Sequence, residues 1–253
     1  MKHKLQILLI LMILISCNQK ANKDLADRKE KIEEIESSPV TQDQADRKTK
    51  SIEYCKANGI PAIDHLPYIE SENETVIRDK EEIIRRAFVL CYLGLKSEGL
   101  EKEHLDEFDK KYQVSDYFTD DEKLYVNATS PTEQQRVNAS WRYESLHVLL
   151  WALGYIDSLD YPSKPCNVAE DVKLIFGRTK TEFSSATKLR TKKEILDQAD
   201  LIYRIDWACV DARENNRDAP AKLDPAIVYE RHYALNWLIN YMEEDWDDVS
   251  TDT

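Results

Sequence analysis

NASWRYESLHVLLWALGY, residues 138–155, decides how the chain is read. Apolar residues fall on nearly every side of the helix it would form, which predicts a helix inside a core. Among the polar groups that interrupt it are Glu144 and His147, one turn apart. On the helical wheel Glu144 falls beside Trp141, Val148 and Trp151, and Arg142 beside Leu146, Leu149 and Leu153. Charge in such surroundings is costly unless it meets an opposite charge or several hydrogen bonds. Later segments offer partners: Arg204, Asp206, Asp211 and Arg213 on one, Glu230, Arg231 and His232 on another. The expected arrangement is a structural polar network within a helical bundle, without metal or cofactor.

Start and stop signals extend the pattern outward. Ser130-Pro131-Thr132-Glu133 puts a serine cap, a proline and a glutamate where a helix tolerates them, predicting a helix from 131 to 155. Earlier, a helix is expected over about 74–95, with Ile77, Ile84, Ala87, Phe88, Cys91 and Leu95 on one side, and another over 100–112. Thr119 and Glu122 have capping-box spacing, as do Thr191 and Glu194, which should open a helix reaching about Glu214. Asn167 should cap a short helix to Phe176, and Asp224-Pro225 should open the last one, through Met242. The tail EEDWDDVSTDT is acidic, but a lone indole wastes apolar area in water, so Trp246 is expected to dock on the domain. No sustained period-two alternation exists. The fold class predicted is all-α: one compact multi-helix domain over residues 51–253, after a disordered N-terminal tether.

The N-terminus carries an address. Lys2 and Lys4 precede an uncharged run, Leu5 to Ile15, and then Leu14-Ile15-Ser16-Cys17. The run is shorter than the roughly 20 residues a spanning helix needs, and its pattern resembles a bacterial lipoprotein signal. Residues 1–16 are therefore expected to be removed and Cys17 to carry lipid. Asn18 fits onward passage to the outer membrane of a two-membrane bacterium. Residues 17–50 contain no aromatic and are highly charged, which predicts a flexible tether. Losing Lys2 and Lys4 moves the formal charge from −13 to −15. Such acidity argues against nucleic acid, which needs clustered lysine and arginine. The membrane is then a partner only through lipid on Cys17, with a protein as the possible second partner. Cys55, Cys91, Cys166 and Cys209 show no CxxC spacing, and their pairing stays open.

Several blocks resemble a bacterial family catalogued as domain of unknown function number 4272. They are SIEYCKANGIPAIDHLP, KEEIIRRAFVL, SWRYESLHVLLWALGYIDSLDYPSKPC, RTKKEILDQADLIYRIDWACVDAR, LDPAIVYERHYALNWLINY and WDDVSTDT, in that order. The resemblance implies one compact domain over about residues 48–253 and no particular activity. Where it implies a large apolar side chain after Leu146, this chain has His147.

Reactive signatures are scarce. HExxH, GxSxG and phosphate-loop motifs are missing, and five glycines do not furnish a phosphate cradle. Ser140 and Ser145 lie mid-helix. Glu144 and His147 have the Glu-x-x-His spacing of di-metal bundles, which need the motif twice. The second copy, Glu101 to His104, sits in a charged run expected to face water. The reading that follows is a lipid-anchored envelope protein whose domain is a non-enzymatic interaction module. A partner would dock on the acidic face or a groove beside the 131–155 helix. The alternatives are a metal-dependent or acid/base hydrolase using Glu144, His147 and His232, and an immunity-type protein.

Overall fold

The computed structural model describes residues 28, 29, 31 and 39–253. The signal segment, Cys17 and most of the expected tether lie outside the described residues. The folded unit spans Thr41–Thr253. Helix α1 (Gln42–Ala57) opens it on a capping box between Thr41 and Gln44. The expected boundary at residue 51 therefore falls inside a helix. Its inward face explains the misreading, because Gln44, Arg47 and Lys48 are buried polar residues in a stretch whose composition suggests solvent. Arg47 pairs with Asp43 at 2.9 Å and with Asp197 at 3.6 Å. Lys48 Nζ donates to the Leu66 carbonyl at 2.7 Å.

Helix α2 (Lys80–Ser97) starts at Asp79, whose side chain accepts from Glu82 N. This cap cuts off the expected extension back to Glu74. From Ala87 to Leu95 every residue is buried, so α2 is surrounded by other elements. Its most extensive neighbour is α5 (Glu133–Ala152). Gly94 makes that approach possible: a Cβ there would lie 2.3 Å from the Tyr143 ring. Between them run α3 (Lys102–Tyr112), a 3₁₀ turn (Val114–Tyr117) and α4 (Asp120–Asn127). The Thr119–Glu122 capping box opens α4, and Glu122 also holds Arg86 of α2 at 2.6 Å.

Helix α5 starts two residues later than predicted. Thr132 accepts from Gln135 N while the Gln135 side chain accepts from Thr132 N, satisfying two amides at once. It also stops early, at Ala152. Gly154 takes φ +79, and a Cβ on it would strike the Lys188 carbonyl at 2.4 Å. Tyr155 N then donates back to Leu150 O at 2.9 Å, turning the chain away.

Helix α6 (Val168–Phe176) is capped by Asn167 as expected. Helix α7 (Lys180–Ala186) has a Thr179–Glu182 capping box that the sequence reading passed over. Helix α8 (Lys192–Glu214) opens on Thr191–Glu194, and α9 (Pro225–Leu238) on Asp224 with Pro225 in the first turn. The last helix ends before the expected Met242. Asn240 (φ 54) and Met242 (φ 56) turn the chain through left-handed conformations, and Trp246 returns as a buried residue 3 % exposed. Its ring meets Tyr233 and Trp237 edge-on at 5.1 and 5.3 Å.

The described residues thus form nine α-helices and no strand, with α5 and α8 both packed on α9. No helix among them is long and apolar enough to cross a membrane.

Candidate functional site

Arg142, Glu144 and His147 leave α5 on different sides, and each meets a partner that folding brings to it. Glu144 is 2 % exposed. Its Oε2 lies 3.2 Å from Arg231 Nε of α9, and its Oε1 accepts from Cys166 N at 2.5 Å. Arg231 Nη1 donates onward to the Asp160 carbonyl at 2.5 Å. Arg142 turns the other way, placing Nη1 3.1 Å from Glu230 Oε2. Ser145 Oγ donates to the same carboxylate oxygen at 2.7 Å. The Arg142 guanidinium stacks 4.6 Å from the Tyr233 ring centre and 5.7 Å from that of Trp246. Burial opposes the Arg142 charge, yet Glu230 and the two neighbouring tyrosines outweigh it and hold its pKa above the ordinary value.

His232 belongs to a separate set. Its Nδ1 is 2.8 Å from Asp206 Oδ2, and Asn236 Nδ2 stands 3.1 Å from its Nε2. Asn236 Nδ2 also donates to the Ser250 carbonyl at 2.8 Å, which fixes the amide orientation. Nε2 is therefore the acceptor and Nδ1 carries the hydrogen given to Asp206. Both ring nitrogens are engaged. His147, on α5, pairs instead with Asp171 of α6, Nδ1 to Oδ2 at 2.8 Å.

Arg204, Asp211 and Arg213 stay outside these pairs. Arg204 forks onto Asp200 one turn earlier, Nε at 2.9 Å and Nη2 at 2.7 Å, and reaches the Pro67 carbonyl at 3.2 Å. Asp211 holds Arg217 at 2.5 Å near the surface, and Arg213 is exposed. The partners that sequence reasoning missed are Asp171, Cys166, Ser145 and Asp200. Two of them left a trace. Asp171 sits between Val168 and Ile175 on the inward stripe of α6, and Asp200 precedes Arg204 by four residues on the buried face of α8.

The thiol in these sets is Cys166, which burial and the Glu144 and Asp171 carboxylates push far up. Ser145 is wholly buried behind Glu230. The four described cysteines are free thiols. Burial pushes the thiols of Cys55 and Cys209 up to about 11 and about 12, far from thiolate chemistry. What the fold does offer is a cleft of about 920 Å³ between α5, α8, α9 and the 217–219 segment. Trp141, Arg142, Arg213, Arg217, Tyr229 and Glu230 line it. Arg142, Arg217 and Glu230 are already paired, while Tyr229 is 44 % exposed.

The family model for domain of unknown function DUF4272 matches residues 47–249. The chain belongs to this family. The match begins within α1 and ends beyond Trp246, so the docked tail is part of the DUF4272 domain. Searches of curated proteins and of solved structures found no match.

Proposed function

We propose that this DUF4272 chain is a lipid-anchored envelope protein, seated in the outer membrane of a two-membrane bacterium, whose helical domain binds a protein partner. The observation that carries this reading is the cleft between α5, α8 and α9. Its aromatic rings and rim arginines are approachable, whereas the charges closest to the core are neutralised within the fold. Trp, Tyr and Arg are the residue types that concentrate binding energy at protein interfaces. The segment that fits presents an apolar side chain to Trp141 and Tyr229 and a carboxylate to Arg213. The lipid anchor rests on Leu14-Ile15-Ser16-Cys17 and the charged start before it. An immunity-type role is a special case, with a toxin as the partner.

A hydrolase using Glu144, His147 and His232 has less support. Glu144 is held by Arg231, His232 by Asp206 and Asn236, and His147 by Asp171.

Photo-crosslinking from position 229 of the full chain in its own cells, with the exposed Leu124 position as control, tests the proposal. The expected adduct forms from 229 and not from 124. The purified partner should then bind at least ten-fold more weakly, about 1.4 kcal/mol, to folded Trp141→Ala and Arg213→Glu chains. Unchanged binding to both variants overturns the reading.

A further inference from the structure

Three donor atoms of different chemistry meet where the chain returns from Gly154 to α6. A ring nitrogen of His147, Cys166 Sγ and a carboxylate oxygen of Asp171 all lie within 4.8 Å of one another. They come from the middle of α5, from the residue before the Asn167 cap, and from the first turn of α6. The cluster is sheltered, with the side chains of His147 and Asp171 12 % and 4 % exposed. Cys166 has only one weak hydrogen-bond acceptor at hand besides the carboxylates, Tyr143 O at 3.6 Å. Burial and the flanking Glu144 and Asp171 carboxylates push its thiol far up. Arg231 is engaged with Glu144 and the Asp160 carbonyl.

We propose that His147, Cys166 and Asp171 form a zinc site that fastens the 155–167 loop and α6 to α5. Sulfur, imidazole and carboxylate are the donor set zinc takes, at roughly 2.0–2.3 Å, and with a water as fourth donor the tetrahedral spacing is roughly 3.3–3.6 Å. To reach that, the hydrogen-bonded His147–Asp171 pair at 2.8 Å must open slightly, and any donor pair near the 4.8 Å limit must close. A thiolate and a carboxylate cancel the charge of the ion, so a neutral centre is buried, which is the condition for a sheltered site. Calcium and magnesium want six or more oxygen donors, which this cluster does not furnish. Binding replaces the thiol proton with a zinc–sulfur bond and releases that proton to solvent. The imidazole hydrogen moves to Nε2, leaving Nδ1 as the ligand. Glu144 is a positioning residue here, orienting Cys166 through its backbone N–H at 2.5 Å. The site is independent of whatever occupies the α5/α8/α9 cleft.

The test uses the full chain in detergent, stripped of metal with a chelator and titrated with cobalt(II) and then zinc. Expected are one equivalent bound, tetrahedral visible bands, a near-ultraviolet sulfur-to-cobalt charge-transfer band, and displacement of both by zinc. In the folded Cys166→Ser chain the charge-transfer band should vanish, and in His147→Ala affinity should fall at least ten-fold, while Cys209→Ala retains both. Zinc should also raise the melting temperature of the unmodified chain, reversibly with chelator. A chain that binds no cobalt, shows no zinc-dependent melting shift, or keeps its charge-transfer band in Cys166→Ser overturns the site.

Discussion

Arg231 Nε lies 3.2 Å from Glu144 Oε2, and neither side chain is more than 4 % exposed. Through the second oxygen of Glu144 and Nη1 of Arg231 the pair also grips Cys166 N and Asp160 O. One ion pair thereby connects α5, α9 and the loop that precedes α6.

Removing one member of such a pair leaves the other charged and buried, which costs far more than the pair contributes net. Glu144→Leu or Arg231→Leu should each lower stability by about 3–5 kcal/mol. Glu144→Leu/Arg231→Leu together should recover most of that loss. Urea unfolding of the four chains measures it, and strictly additive losses would show that the two groups do not interact.

The α2–α5 approach makes a second prediction. A methyl group at Gly94 enters the Tyr143 ring at 2.3 Å, with no flexible chain end to yield. Gly94→Ala should cost about 1–3 kcal/mol from overpacking, despite the better helix propensity of alanine. Gly94→Ala/Tyr143→Leu should restore part of it in thermal melts.

Asp43 supplies a pH dependence. Burial works against its charge, but the Thr41 hydroxyl, Glu72 N and Arg47 prevail and hold its pKa below the ordinary 3.8. A carboxyl depressed on folding adds stability that is complete above its unfolded pKa and is lost as pH falls through the lower folded one. Asp43→Asn should therefore be less stable than the unmodified chain at neutral pH, with the difference shrinking once pH drops below about 3.8. A difference that is constant from neutral to acid pH would assign the effect to hydrogen bonding alone.

Metabolic labelling with a palmitate analogue checks the anchor. The unmodified chain should take up label and sediment with membranes, and Cys17→Ala should do neither. Label retained in Cys17→Ala would move the attachment elsewhere.

Helical class was legible because apolar spacing and caps act locally: Thr119, Asn167, Thr191 and Asp224 each open the helix expected of them. Helix α1 was not, since its first half buries Gln44, Arg47 and Lys48, whose partners Ile69, Glu70, Asp197 and Leu66 lie far along the chain. Composition registers their charge and is blind to those partners. At the N-terminus of α5, Ser130 and Thr132 both carry a hydroxyl, and only the Gln135 side chain reaching back to Thr132 N decides between them. The His147, Cys166 and Asp171 cluster has no motif spacing to betray it, because the turn at Gly154 creates it.

The returning tail has a practical side. Its indole covers Arg142, which lines the cleft, and Thr251 stands in the cleft wall. Clipping the chain ahead of Trp246 would strip the indole from the guanidinium and Thr251 from the wall, so a protease acting on those last residues would change what the domain can hold without cutting an α-helix.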